Sequence, residues 1–297
     1  QYFYGDGLMN FSRNIKVLHI EPTDVCQAAC SGCARETDTS FIKTQHHHLT
    51  IEQIHKLLST DDIRKLDKMF MCGNYGEPAA GKHTIEINRY FRSLNPEITL
   101  GMNTNGGVQN TSWWNNVGSI LSNNRDFAVF SIDGLSDTNH LYRANVNWKK
   151  LMDNVTAFIS AGGKAHWDML VYRHNEHQID ECEQLARDMG FRCFRAKVSK
   201  RALTSNLERP IEWKTTKKYT GPIECQILKD ESIYMDACGR VSPCCWLGCR
   251  TNDLILDFDQ IRSSWTSDTP NDVCSNTCRI SDGETNFTGQ WKREVYI

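Results

Sequence analysis

The chain has 297 residues, 39% hydrophobic and 24% charged, a composition that suits a folded globular protein and excludes a disordered one. Its 34 Lys and Arg balance 36 Asp and Glu to a formal charge of -2, so wholesale binding to nucleic acid or to an anionic membrane has no support. No apolar run reaches the roughly 18 residues of a membrane span, and Gln1 to Asn10 lack the basic and apolar regions of a secretory signal, so a cytoplasmic, reducing location is expected.

After an N-terminal extension over 1–15, strand and helix patterns alternate from 16 to 198. Short apolar runs bounded by turn residues predict strands over Lys16–Glu21, Asp67–Cys72, Ile98–Asn103, Phe127–Asp133, Ala165–Val171 and Phe191–Lys197. Between them the pattern predicts helices over Thr50–Ser59, His83–Ser93, Ser112–Leu121, Trp148–Ala161 and Glu176–Met189. Thr50 with Gln53 reads as a capping box, and Gly162-Gly163 and Gly190 as stops. Such a βα series predicts an α/β fold: a parallel sheet with helices outside, open or curled toward a barrel, with its chemistry on the loops that leave the strands. A polar connector over 199–221 follows, part of a basic stretch from Lys197 to Lys218 that reads as a solvated face. A small cysteine-rich domain over 222–297 closes the chain, with hairpin-like sequence around Asp236–Pro243.

Cysteine is the outlier, at 13 residues in a chain long enough to fold without disulfides. In a reducing compartment, clustered cysteines point to metal. Cys72, Cys182 and Cys193 lie in apolar or helical contexts and read as small core residues. The others form two groups. Cys26, Cys30 and Cys33, spaced by three and then two residues on the loop after the first strand, suffice to wrap one metal centre. A structural zinc site would want a fourth protein ligand. Three thiolates fit an iron–sulfur cube with one iron left open. His46, His47 and His48 are the nearby alternatives and read as a solvated run.

The later loops extend the pattern in order. The second strand leads into Gly73-Asn74-Tyr75-Gly76-Glu77-Pro78, the third into Asn103-Thr104-Asn105-Gly106, and the fourth into Ser131-Ile132-Asp133-Gly134, then His140 and Arg143. Together with the three cysteines, these motifs resemble the radical S-adenosylmethionine (radical SAM) superfamily over roughly residues 16 to 197. The resemblance implies a partial (β/α)6 TIM-like barrel and a four-iron four-sulfur cluster on Cys26, Cys30 and Cys33 whose open iron binds S-adenosylmethionine. It also implies reductive cleavage to a 5′-deoxyadenosyl radical, which abstracts hydrogen from substrate. It assigns Gly76, Glu77 and Pro78 to the methionyl amino group, Asn103 and Asn105 to the third-strand turn, Ser131 and Asp133 to the ribose, and Arg143 to the carboxylate.

In the second group, Cys225 is followed by thirteen residues, then Gly239-x4-Cys244, then Cys274-x3-Cys278. This resembles the SPASM or shorter twitch extension of the same superfamily, which carries auxiliary four-iron four-sulfur clusters. The C-x2-C-x5-C-x3-C run of a full SPASM domain is missing. The resemblance therefore implies the twitch form, with one auxiliary cluster on Cys225, Cys244, Cys274 and Cys278, or zinc on the same thiolates. Cys238, Cys245 and Cys249 are left over. Cys245 is the candidate catalytic thiol, one that returns a hydrogen atom to a substrate radical and so epimerises it; it could instead exchange roles with Cys244 or be incidental.

These implications make the chain an oxidoreductase or peptide-modifying enzyme. It would use two 4Fe-4S clusters, S-adenosylmethionine, a reductant such as flavodoxin or ferredoxin, and a small-molecule or peptide substrate, with RNA or nucleoside modification ranked behind. With the first strand expected within about 15 residues, no leader-recognition domain is expected ahead of it, which weighs against a peptide substrate unless a separate partner supplies one. A non-catalytic binding module stapled by zinc is the alternative of a different class.

Overall fold

The structure is a computed structural model that describes residues 15–38, 46–198, 207–211, 225–248, 272–278 and 291–297. The N-terminal extension before residue 15, most of the connector and Cys249 lie outside the described residues.

One nine-stranded sheet organises the chain, in the order β8-β7-β1-β2-β3-β4-β5-β6-β9. Strands β1 (Val17–Ile20), β2 (Lys68–Met71), β3 (Thr99–Thr104), β4 (Phe127–Ser131), β5 (Ala165–Val171) and β6 (Cys193–Val198) fall within two residues of the expected starts and ends. They pair in parallel, each with the next in sequence. A doubly wound sheet reverses its order at a switch point. This one does not, so right-handed crossovers carry every connecting helix to the same face. The sheet is a partial barrel, not a closed one.

The helix-side face is dry. Its inventory includes Trp114, Phe130, Phe158, Trp167 and Phe191, all buried, with Trp114 packed on both Phe130 and Phe158. Helices Thr111–Ile120 and Trp148–Ser160 meet so closely at Gly118 that a Cβ there would lie 2.3 Å from the Phe158 carbonyl oxygen. Along β5 and through the later part of β6 the opposite face alternates to half-exposed residues, among them Asp168, Leu170, Arg195 and Lys197. Register places Ser131 beside Asp168 and Asp168 beside Arg195, and Arg195 grips Asp168 with two bonds of 2.7 and 2.9 Å. The inner wall therefore offers polar groups to whatever fills the concave side.

Three local outcomes differ from expectation. The helix expected over Thr50–Ser59 is two, Ile51–His55 and Thr60–Arg64, because Ser59 opens a second capping box with Asp62 after the predicted box of Thr50 and Gln53. The hairpin near Asp236 is real, β7 (Ser232–Met235) pairing antiparallel with β8 (Val241–Ser242). Yet β7 also lies parallel to β1 and extends the main sheet. A strand not expected from the sequence, β9 (Arg293–Tyr296), runs antiparallel along β6. The stops behave as expected: Gly162 and Gly190 adopt φ of 91° and 82°, left-handed values that glycine takes without a Cβ penalty.

Candidate active site

The loop from β1 folds back over the C-terminal ends of its neighbours. Cys33 donates its backbone N–H to the Cys30 carbonyl and begins the helix Ala34–Thr37. Arg35, 8% exposed, donates to the Asp24 and Tyr75 carbonyls and staples this loop to the one after β2. Gly76 fits between them because a Cβ there would sit 1.7 Å from the Thr23 carbonyl oxygen.

Each of the three thiols meets a different loop. Cys26 Sγ accepts from Asn105 Nδ2 at 3.7 Å, Cys30 Sγ from an Arg143 guanidinium N–H at 3.8 Å, and Cys33 Sγ approaches the Asn74 carbonyl at 3.9 Å. Burial pushes the Cys26 thiol up to about 12, with Glu77, Cys30 and Cys33 adding to it. Cys30 is raised first by burial too, against the opposing pull of Arg143. Thiols this dry ionise when a cation replaces the lost water. As a donor set, three convergent sulfurs on one loop therefore fit a positively charged iron–sulfur core.

The other expected residues surround them. Glu77 is buried; its carboxylate accepts from the Ala79 and Asn105 backbone N–H groups at 3.1 and 2.7 Å and from the Thr104 hydroxyl. A carboxylate offers about four lone-pair sites, so three bonds leave capacity for one more donor. Pro78 opens a short 3-10 turn, Pro78–Ala80, that Glu77 caps. Asn105 also pairs with Gln27, closing the β3 loop onto the cysteine loop. Asn103 and Ser131 lie half-buried on the β3 and β4 strands.

Asp133 stands beside Arg143 and β5. Fully buried, it accepts from Arg143 Nε at 2.6 Å and from the Leu170 backbone N–H at 2.6 Å. Its first observable task is to hold Arg143 against Cys30.

The late cysteines gather as well. Cys225, Cys244, Cys245, Cys274 and Cys278 line one cavity with apolar Trp246 and Leu247. Burial pushes Cys244 up to about 11 and Cys278 to about 12, each further raised by its neighbouring thiols. Among the described residues, no three His, Cys, Asp or Glu side chains are arranged to hold a single metal ion. Each group offers thiols as its donors, a set that zinc and a four-iron cube both accept. Cys238 stands apart, its carbonyl accepting from Gln53 at 3.0 Å.

Glu21 and Tyr234 belong to none of the sequence motifs, and Asn74 lies in one without an assigned role. Glu21 follows β1, is 1% exposed, and accepts from the Tyr75 and Gly76 backbone N–H groups at 2.7 and 2.8 Å and from the Tyr234 hydroxyl at 2.6 Å. An acidic residue directly after a buried strand was the available signal. Burial lifts Glu21 from 4.5 to about 7 despite those bonds. The folded chain thus keeps a proton the unfolded chain has lost, so this contribution is full below pH about 4.5 and falls by about 3 kcal/mol as pH rises through 7. His19 and His166, lowered to about 4 mainly by burial, act in the opposite sense between their folded and unfolded values. The difference between Glu21→Gln and the parent isolates the carboxyl: urea unfolding at a series of pH values should show the variant gaining about 3 kcal/mol on the parent from pH 4.5 to 8.

The profile of the Radical SAM superfamily matches residues 20–189. No curated protein matches the chain. Among solved structures, Streptococcus suis SuiB bound to precursor peptide SuiA superposes with a TM-score of 0.58 at 13% identity, covering 86% of this chain and 65% of that one. SuiB bound to S-adenosylmethionine gives 0.57 at 13% identity, over 88% and 68%. The anSMEcpe structure with bound AdoMet and Cp18Cys peptide gives 0.54 at 14% identity, over 77% and 73%. At such identities the likeness is one of fold. The chain spans about two thirds of the length of these structures.

Proposed function

Because this chain belongs to the radical SAM superfamily, we propose that it is a radical SAM enzyme with one auxiliary cluster, acting on a peptide. The observation that carries this reading is the convergence of Cys26, Cys30 and Cys33 with Asn105, Arg143 and Asn74, one from each neighbouring loop. The superfamily's 4Fe-4S cluster, when bound, delivers one electron to S-adenosylmethionine and so yields a 5′-deoxyadenosyl radical.

The chain's own residues then bind and orient. Cys26, Cys30 and Cys33 hold the cluster. Arg143, fixed by Asp133, presents a fork that matches a carboxylate. Glu77 accepts from an ammonium with its remaining lone pair, while Gly76 and Pro78 shape the turn that carries it. Asn103, Asn105 and Ser131 face the nucleoside. The half-exposed inner wall of β5 and β6 receives the substrate. Peptide is preferred to a small alcohol because the fold relatives SuiB and anSMEcpe bind peptides in the structures named above. Cys245, beside the auxiliary site, is the proposed hydrogen-atom donor, and a flavodoxin or ferredoxin the reductant.

Cys225, Cys244, Cys274 and Cys278 are the proposed auxiliary ligands in a twitch-type extension. Oxygen-free protein given dithionite and S-adenosylmethionine should form 5′-deoxyadenosine, and Cys225→Ala should still do so while holding about half of the roughly eight irons that two cubes require. No 5′-deoxyadenosine from the iron-loaded parent overturns the enzyme. Undiminished iron in the variant overturns the ligand set.

A further inference from the structure

The two cysteine groups are far apart in sequence, yet one residue touches both neighbourhoods, one through its backbone and the other through its side chain. Asn74 presents its backbone carbonyl to Cys33 at 3.9 Å. Its side-chain amide donates to the Cys245 carbonyl at 3.0 Å and to the Tyr234 hydroxyl oxygen at 3.2 Å. We propose that Asn74 is a positioning residue that locks the two cysteine centres to each other; this rests on the reading of both as iron–sulfur centres.

The residue's own placement is fixed from several sides. The turn that carries it is so tight that a Cβ on Gly73 would lie 2.1 Å from the Gly76 carbonyl oxygen. Glu21 holds the next two backbone N–H groups, and Arg35 the Tyr75 carbonyl. Across the contact, the same Glu21 holds Tyr234, the hydroxyl that Asn74 meets. Cys245 begins a short helix, Cys245–Gly248, whose last residue lies against the Tyr234 ring: a Cβ on Gly248 would be 2.7 Å from it. The Ser242 hydroxyl fixes the Cys244 carbonyl at 3.0 Å. Asn74 is thus the joint between two separately braced segments, and a chain of one peptide, one amide and two hydrogen-bonding contacts links Cys33 to the residue after Cys244.

Cluster potentials depend on hydrogen bonds and solvent exposure around the sulfurs. A residue that braces both centres must therefore influence both potentials. The test is a redox titration of the anaerobic, fully loaded enzyme followed by electron paramagnetic resonance. In Asn74→Ala, and in the size-matched, uncharged Asn74→Leu that loses the donor amide, the midpoints of both clusters should move while iron stays at about eight per chain. Full iron with only one midpoint moved, or neither, overturns this inference and leaves the function standing. A parent enzyme with about four irons overturns both. Should the alanine variant not load, the leucine variant decides alone.

Discussion

Replacing Cys26, Cys30 and Cys33 together by alanine should abolish 5′-deoxyadenosine formation and remove about half the iron, while the fold persists. The effect is expected to be complete because each thiol reaches a separate loop and, among the described residues, no group of three metal-ligating side chains stands ready to substitute. His47 of the histidine run is engaged with Asp24, its Nδ1 at 2.6 Å from Oδ2. Removing three sulfurs costs the fold little by comparison. Only Cys30 among them is counted in the core, at 5% exposure, and the loop remains stapled by Arg35 and by the Glu77 N–H to the Val25 carbonyl at 2.8 Å. Iron analysis with a product assay on the oxygen-free variant checks both parts. Continued S-adenosylmethionine cleavage by the triple variant would remove the basis of the proposed function.

Asp133→Asn should be the most damaging single change away from the cysteines. The Arg143–Asp133 pair is almost wholly buried, with side-chain exposures of 14% and 0%. Removing one partner of such a pair leaves a desolvated charge and costs about 3–5 kcal/mol. The asparagine keeps the volume and, through its oxygen, a bond from Leu170 N–H, so the loss falls on Arg143. Two consequences follow together: a lower unfolding midpoint, and weaker binding of S-adenosylmethionine by an unanchored guanidinium. Arg143→Lys tests the second apart from the first, since a point charge replaces the two-pronged fork. Calorimetry with nucleotide titration separates them, and a fully stable Asp133→Asn would show that the pair is not the anchor described.

The strand series was legible because its outer face is apolar and its strands are short and separated by capped helices. Residues such as Thr50, Gly162 and Gly190 carried their instructions locally. The three early cysteines were legible for the same reason, since one loop holds them all. What stayed hidden was long-range. Glu21 looked like a residue at a strand end, and nothing local foretold that Tyr234, more than two hundred positions later, would donate to it. β9 is four residues of mixed polarity, Arg-Glu-Val-Tyr, with no alternation strong enough to predict a strand; its partner β6 supplies the hydrogen bonds that define it. Asp133 and Arg143 share one motif in the sequence, but spacing could not reveal that the guanidinium and the carboxylate pair with each other.

Both rims of the six-strand array are completed by late chain: β7 seals β1, and β9 seals β6. During synthesis on a ribosome, at about 5–20 residues per second, the strand that launches the early cysteine loop emerges first yet waits for residues beyond 230 before its outer edge is paired. Unpaired edges invite wrong partners. The edge beside the early thiols therefore depends on chain more than two hundred residues downstream, and a chain cut between β6 and β7 would present those thiols on a sheet with two raw margins.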